Sequence, residues 1–220
     1  MIQPDEIIRS KRKTLSVGVD PLGKITVRAP LSCKKERIFA FLQEKESWIL
    51  KQKSKTAGVS MRLPSENLQG FRFLLLGKER VIECVNESRI RFDGERNILF
   101  LPIKNARERL VQWLKENAGR ILKQRTAEWA EKMNAQYSSV RVTSAKTRWG
   151  SCSYKNAMNY SFRLIYAPKE IVDYVVVHEL AHVRFKNHAS AFWKEVETYM
   201  PDYREKRAWL KNNGILMRIF

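Results

Sequence analysis

The segment that most constrains the fold is an apolar run that leads into a cluster of histidines. Residues 174–193 read YVVVHELAHVRFKNHASAFW and contain all three histidines of the 220-residue chain. The stretch IVDYVVV before the first histidine is apolar and β-branched, and a helix of that composition is stable only when it is buried. Imidazoles buried there without polar partners would be unfavourable, so the sequence predicts that they bind a ligand.

The spacing of the first two histidines predicts which ligand. His178 and His182 are four residues apart, so their rings lie on one face of a helix about one turn apart. Two imidazole nitrogens at that separation reach one zinc ion at about 2.0–2.1 Å. Glu179 lies between them, where a carboxylate reaches a metal-bound water without being a ligand. The HExxH pattern therefore predicts a zinc ion with a general base beside it, and the alternative is a pair of ordinary core histidines.

The third histidine predicts how this helix ends. His188 follows six residues after His182, and a continuous helix would carry it about 9 Å along the axis and off the shared face. We therefore expect the helix to end near Asn187, with that residue in the left-handed conformation common at helix ends. Three protein ligands leave one coordination position for water, which is typical of catalytic zinc sites.

Two alternatives to this ligand set stay open at the level of sequence. If His188 is an exposed residue at a helix start, the third ligand must be an acid, and Glu195 or Glu197 would supply it. Cys152 is a small residue suited to core packing. It could instead be a fourth ligand, and the site would then be structural.

Charge and cysteine content bound the class of protein. The chain has 42 Lys and Arg against 23 Asp and Glu, a net charge of +19. This predicts either a basic soluble surface or binding of nucleic acid or an acidic substrate.

The three cysteines form no CxxC pair, so we expect neither a disulfide framework nor a zinc ribbon. Their low number and wide spacing predict a cytoplasmic location. No apolar run is long enough for a membrane span, and the N-terminus has no signal-peptide core.

Hydrophobic periodicity predicts an α+β fold in three parts. Residues 1–102 read as a β-rich N-terminal part with one helix over residues 32–55. In this part KTLSVGVDPLGKITVRAP predicts a hairpin, and FRFLLLGKERVIECV, SRIRFDG and RNILFLP predict three or four further strands. Residues 103–137 predict one long connecting helix, and residues 138–220 a C-terminal catalytic domain.

The two later parts carry more specific expectations. The connecting helix has an apolar face made of Ala106, Leu110, Leu114, Ile121, Met133 and Tyr137. In the C-terminal part VRVTSAKTRWGSCS and AMNYSFRLIYAP predict short strands. The histidine helix is expected to begin at Pro168, followed by helices over residues 189–199 and 203–213. Phe192 and Trp193 are expected to pack the first of these two helices onto the histidine helix.

Three segments, TRWGSCS, MNYSFRLIYAP and YVVVHELAHVRFKNHASAFW, resemble the YgjP-like metallopeptidases, relatives of the SprT-like and WSS-type zinc proteases. The resemblance is strongest over residues 146–193. It implies a zincin-like domain with a small sheet and an HExxH helix. It further implies that His178, His182 and His188 bind zinc and that Glu179 is the catalytic acid. SprT-like relatives include proteases that act on DNA-bound proteins, which suits the net charge.

The resemblance also places the RWGSC segment near the site. Trp149 is suited to wall a cleft, Gly150 permits a close approach of backbone to substrate, and Arg148 is expected to form a structural ion pair or hydrogen bond. Tyr166 could donate a hydrogen bond to an oxyanion, although a half-buried tyrosine at a strand end is an equal alternative. Asn159 has the same status.

The sequence therefore predicts a zinc metallopeptidase with one Zn²⁺ per chain and a protein or peptide substrate. A metal-activated water attacks the peptide bond, and Glu179 is the general base. The alternative is a basic nucleic-acid-associated zinc protein, either a DNA-linked protease or a non-catalytic binding module. The module would have four protein ligands on zinc. A protease that has lost its activity is a further alternative.

Overall fold

The computed structural model describes most of the chain, namely residues 2–19, 25–50, 67–214 and 216. Its contacts divide the chain into two compact units, Met1–Met61 and Arg62–Phe220. The boundaries predicted at residues 102 and 137 differ from this division. The difference arises because the strands after residue 67 pack on the C-terminal elements, as described below.

The first unit contains a three-stranded sheet and a helix. Its elements are β1 (Glu6–Ser10), β2 (Ser16–Val19), β3 (Ile25–Pro30) and α1 (Lys35–Glu44). The strand order is β1-β3-β2, with β1 and β3 parallel. Strands β2 and β3 are antiparallel, which confirms the predicted hairpin, while its turn at residues 20–24 lies outside the described residues.

Helix α1 covers part of the helix predicted over residues 32–55. The chain turns at Lys45 and is helical again over residues 46–50, whereas residues 51–55 lie outside the described part. Apolar side chains of the helical residues pack against β3 and form the core of this unit: Ile25, Val27, Ala29, Ile38, Leu42 and Ile49.

A four-stranded sheet opens the second unit. Its strands are β4 (Arg72–Leu75), β5 (Lys78–Val85), β6 (Arg91–Asp93) and β7 (Ile98–Pro102), in the order β4-β5-β7-β6. Strands β5 and β7 are parallel, and the other two pairs are antiparallel. The sequence predicted strands here but gave no order for them.

The turn between β4 and β5 attaches this sheet to the C-terminal elements. The backbone N–H of Leu76 donates to the carbonyl of Ile165 at 2.6 Å. Gly77 has a φ of +74°, and a Cβ there would lie 2.9 Å from the Cα of Pro168, so only glycine fits. The sheet therefore shares a unit with the C-terminal elements, and the predicted N-terminal part of residues 1–102 does not form one unit.

Helix α2 spans Ala106–Met133, shorter at both ends than the predicted residues 103–137. Asn105 and Asn134 flank it, both in the left-handed conformation, with φ of 56° and 47°. Asparagine tolerates this conformation, which ends the helical hydrogen bonding. The two asparagines therefore explain the observed ends.

The buried face of α2 follows helical spacing along its whole length. Its members are Leu110, Leu114, Ala118, Leu122, Thr126, Ala130 and Met133. The prediction differs at three positions: Ala106 and Ile121 are only half-buried, with Leu122 buried next to Ile121, and Tyr137 lies beyond the helix end. Because α2 packs against the helix that carries His178, it is a core element of the second unit and not a connector.

A second, three-stranded sheet follows α2. It contains β8 (Ser139–Thr143), β9 (Gly150–Cys152) and β10 (Ala157–Ser161) in the order β8-β10-β9. The predicted strand AMNYSFRLIYAP is wrong in its second half, because Phe162–Tyr166 form a 3₁₀ helix. All five residues of this 3₁₀ helix are buried, and periodicity does not separate strand from helix in a short apolar run.

Three helices complete the second unit: α3 (Lys169–Arg184), α4 (Ser190–Tyr199) and α5 (Tyr203–Asn212). Each begins within one residue of its predicted start. The prediction for Asn187 is wrong: α3 ends earlier, at Arg184, and the next residue, Phe185, is extended with a φ of −121°. Asn187 has no positive φ. Its side chain instead accepts a hydrogen bond from the N–H of Ala189 at 3.1 Å, which organises the start of α4.

Within residues 2–19, 25–50, 67–214 and 216, no helix has both the length and the apolar character that crossing a bilayer requires.

Candidate metal centre

Three imidazoles meet at one point although they come from two different parts of the chain. His178 and His182 lie on α3, and His188 lies in the connection to α4. Their nitrogens all lie within 4.8 Å of one another, and the Nε2 atoms of His178 and His188 are 3.1 Å apart. Among the His, Cys, Asp and Glu side chains that the structure describes, this is the one group of three or more that could hold a metal ion.

The end of α3 orients the second histidine. Nδ1 of His182 lies 2.9 Å from the carbonyl oxygen of Phe185. A carbonyl can only accept, so this contact fixes the proton on Nδ1 and leaves the lone pair on Nε2. The early end of α3 frees this carbonyl for the contact. Sequence reasoning missed Phe185, because it places the end of the helix later, near Asn187.

The donor set fits a zinc ion. Two ligands of a tetrahedral zinc ion at about 2.0–2.1 Å are about 3.3 Å apart, close to the 3.1 Å between the nitrogens of His178 and His188. Burial, together with the two neighbouring histidines, lowers the pKa of His178 to about 3. Burial also lowers the pKa of His182. Both imidazoles are therefore neutral at neutral pH, the state that binds a metal.

An aromatic cluster holds the three imidazoles in place. The ring of Phe192 lies 4.9, 4.5 and 4.7 Å from those of His178, His182 and His188. Trp193 stacks on His188 at 5.6 Å, which positions a histidine that is itself exposed. Phe192 is fully buried and Trp193 is half-buried, so α4 packs on α3 through these two residues as predicted.

Glu179 is a buried carboxyl that faces β9. It is 5% exposed, and the backbone N–H of Cys152 donates a hydrogen bond to it. A Cβ on Gly150 would lie 2.6 Å from its Oε1, so the close approach that the sequence assigned to a substrate is made by this carboxyl. Burial raises the pKa of Glu179 to about 8 in spite of the hydrogen bond.

The alternative ligands are not part of the histidine group. Cys152 is half-buried, its pKa is raised by burial, and its sulfur is not among the clustered donor atoms of the described chain. Glu195 forms an ion pair with Arg184 at 2.5 Å, and Glu197 forms one with Arg204 at 3.4 Å. The geometry thus favours three histidines over the alternatives that the sequence left open.

Asn159 lies away from the histidines. In the β9–β10 ladder it pairs with Ser151, whereas Gly150, which faces Glu179, pairs with Tyr160. Because side chains alternate between the faces of a sheet, Asn159 lies on the face opposite Glu179. There it lines a cavity of about 360 Å³ together with Thr143, Ala145, Arg148, Ser151 and Ser161.

The other predicted support residues also need revision. Tyr166 is 0% exposed and packs edge-on against Phe162 at 6.4 Å, so its phenol does not reach a surface where a substrate binds. Arg148 is exposed and forms no ion pair among the residues that the structure describes. Trp149 is half-buried, and its carbonyl accepts a hydrogen bond from the N–H of Ser161 at 2.9 Å. Its role as a cleft wall stays a prediction.

A buried ion pair anchors α3 to α2. Nε and Nη2 of Arg125 donate to the two carboxylate oxygens of Asp173 at 2.6 and 2.8 Å, and the two side chains are 13% and 11% exposed. At the other end of α3, Arg184 donates to the carbonyl of Met133 at 2.8 Å. Sequence reasoning missed both contacts, because each joins residues about fifty positions apart.

One family of known proteins matches most of the chain. The model of the family described as YgjP-like, metallopeptidase domain, matches residues 13–213. A comparison with curated proteins finds no match. Two crystal structures of metallopeptidase zymogens are similar to part of the chain: Pyrococcus abyssi abylysin, at 22% identity, and Methanocaldococcus jannaschii jannalysin, at 20%.

Each similarity to a solved structure covers 42% of this chain and has a TM-score of 0.39, and it spans 93% of the abylysin chain and 95% of the jannalysin chain. The family match is far more extensive, since it runs through both units and includes all three histidines. The chain belongs to the YgjP-like metallopeptidase family.

Proposed function

We propose that the protein is a zinc-dependent peptidase in which His178, His182 and His188 bind one zinc ion and Glu179 is the general base. The observation that carries the proposal is the convergence of three imidazoles within 4.8 Å with no fourth donor among the described side chains. An open coordination position is typical of catalytic zinc. This supports a peptidase over a binding module whose structural zinc has four protein ligands.

Zinc, when bound, supplies a Lewis acid that polarises the peptide carbonyl and lowers the pKa of water. Glu179 takes a proton from the attacking water as its oxygen bonds to the carbonyl carbon, and donates this proton to the amine nitrogen as the C–N bond breaks. Without metal, burial raises the pKa of Glu179 to about 8. The positive charge of a bound zinc ion would favour the carboxylate form, which accepts the proton of the water. Gly150 and the N–H of Cys152 keep the carboxyl in position.

Family membership supports a protein or peptide as the substrate. Binding of nucleic acid through the basic surface stays a prediction from the net charge, as does a cytoplasmic location.

The test compares the zinc-loaded wild-type protein with Glu179→Gln on unfolded casein and on a mixture of fluorogenic peptides. We expect both proteins to hold one zinc ion by elemental analysis, and the variant to hydrolyse substrate about 10²–10⁴-fold more slowly, the usual contribution of a general base. Glu131→Gln, an exposed position on α2, is the matched control. Equal hydrolysis by the wild type and Glu179→Gln would contradict the assigned role.

A further inference from the structure

An arginine on α5 stacks on an aromatic ring at the edge of the metal centre. Cζ of Arg207 lies 4.8 Å from the ring centroid of Trp193. This indole ring lies 5.6 Å from the ring of His188 and 5.8 Å from that of His178. It also stacks on Tyr203 of α5 at 5.2 Å. Arg207 is therefore held one aromatic ring away from two of the three proposed zinc ligands.

The charge of Arg207 is not neutralised by a neighbouring acid. Two other cations of α5 have partners: Arg204 pairs with Glu197 at 3.4 Å, and Lys206 pairs with Asp202. Arg207 is exposed, and within the described parts of the chain no carboxylate lies within ion-pair distance of it. Its guanidinium donors are free to bind an anion that enters from solvent.

We propose that Arg207 is a specificity-determining residue that binds a carboxylate of the substrate, supplied by an acidic side chain or by the free C-terminus of a peptide. The inference rests on the proposed peptidase function and names its substrate class. A guanidinium binds a carboxylate through two parallel hydrogen bonds. Stacking on Trp193 holds the guanidinium in place, so less side-chain freedom is lost when the substrate binds.

The test measures peptide binding by calorimetry on the zinc-loaded Glu179→Gln protein, so that binding is recorded without turnover. The probes are four acetylated alanine hexapeptides with a central Glu or Gln, each with a free or an amidated C-terminus. Arg207→Ala is introduced in this background, and Arg204→Ala is the matched control, because Arg204 lies on the same helix but stacks on Tyr203.

We expect a carboxylate-bearing peptide to bind about tenfold more tightly than the doubly neutral peptide, the usual gain from a charge-assisted hydrogen bond. Arg207→Ala should remove this preference and leave the affinity of the neutral peptide unchanged, and Arg204→Ala should keep the preference. Preference for Glu over Gln identifies an acidic side chain as the source, and preference for the free terminus identifies the C-terminus.

A preference that survives in Arg207→Ala, or no preference in the Glu179→Gln background, would overturn the proposal. This result is separate from a failure of the peptidase function itself, which would appear as no hydrolysis by the zinc-loaded wild-type protein.

Discussion

Helices α2 and α3 pack against each other but are buried in different ways. On α2 the buried residues form a single stripe, three or four positions apart, and the opposite side faces solvent. On α3 every residue from 171 to 177 is buried, and so are Glu179, Leu180 and Ala181. One helix has a solvent side, and the other has almost none.

This difference shows that a polar residue on a buried helix indicates a function or a partner more strongly than one on an exposed helix face. A polar side chain on the outer side of α2 meets water and needs no partner, so its identity is weakly constrained. A polar side chain on α3 leaves water when the protein folds and must find a partner. Asp173 has Arg125, Glu179 has the N–H of Cys152, and His182 has the carbonyl of Phe185.

The largest expected effect tests the pair that joins the two helices. Arg125→Met leaves the carboxylate of Asp173 buried without its cation, and we expect the free energy of unfolding to fall by about 3–5 kcal/mol. Urea denaturation of the zinc-loaded protein measures this. The double variant Arg125→Met/Asp173→Leu is the control and should recover most of the loss. A loss below about 1 kcal/mol in the single variant would mean that α3 does not depend on this partner.

The second prediction concerns Glu179 in the metal-free protein. Burial raises its pKa from 4.5 to about 8, so the folded state holds a proton that the unfolded state releases above pH 4.5. Stability should therefore fall as pH rises from about 4.5 to about 8. Glu179→Gln does not titrate, so we expect it to be about 2–4 kcal/mol more stable than the wild type at pH 8, and equal to it near pH 4.5.

Chemical denaturation of both proteins with a chelator present, across this pH range, measures the difference. The histidines are common to both proteins, so their titration cancels in the comparison. If the difference in free energy of unfolding between the two proteins does not change with pH, burial does not raise the pKa of Glu179.

The third prediction tests the position of the Glu179 carboxyl without replacing the residue. In Gly150→Ala the new Cβ would lie 2.6 Å from Oε1 of Glu179, so the carboxyl must move. A displacement of about 1 Å can lower a catalytic rate about 100-fold. We expect a loss of this size in kcat/KM with unchanged zinc content by elemental analysis. Wild-type kcat/KM in this variant would contradict the position assigned to Glu179.

The smallest expected effect comes from a substitution on the exposed face of α2. Gly119 lies in the middle of α2, and a Cβ there would meet nothing within 4 Å. Gly119→Ala should therefore raise the free energy of unfolding by up to about 1 kcal/mol, because alanine favours the helix. Thermal denaturation measures this, and hydrolysis should be unchanged. A destabilised Gly119→Ala protein would show that α2 has less free space on this side than described.

The same contrast explains what the sequence could predict. The starts of helices α3, α4 and α5 were predicted to within one residue, because helical spacing and a proline are local signals in the sequence. The meeting of the three histidines followed from HExxH and from the need for α3 to end before His188. Their roles as ligands stay predictions until metal is measured.

Features that depend on distant residues were not predictable. The carbonyl of Phe185, the Arg125–Asp173 pair and the place of Arg207 beside Trp193 arise only when helices pack. Asn159 was a candidate for oxyanion support with the same status as Tyr166, and strand alternation puts it on the other face. The register of a sheet decides on which face such a residue lies, and this register could not be predicted from the sequence.

X-ray absorption at the zinc edge of the loaded protein distinguishes a three-histidine site with an open position from a closed structural site. We expect only nitrogen and oxygen neighbours at about 2.0–2.1 Å, with outer scattering from three imidazoles that falls to two in His188→Ala. A sulfur neighbour at about 2.3 Å, which Cys152 would supply, or outer scattering from only two imidazoles already in the unsubstituted protein, would contradict it.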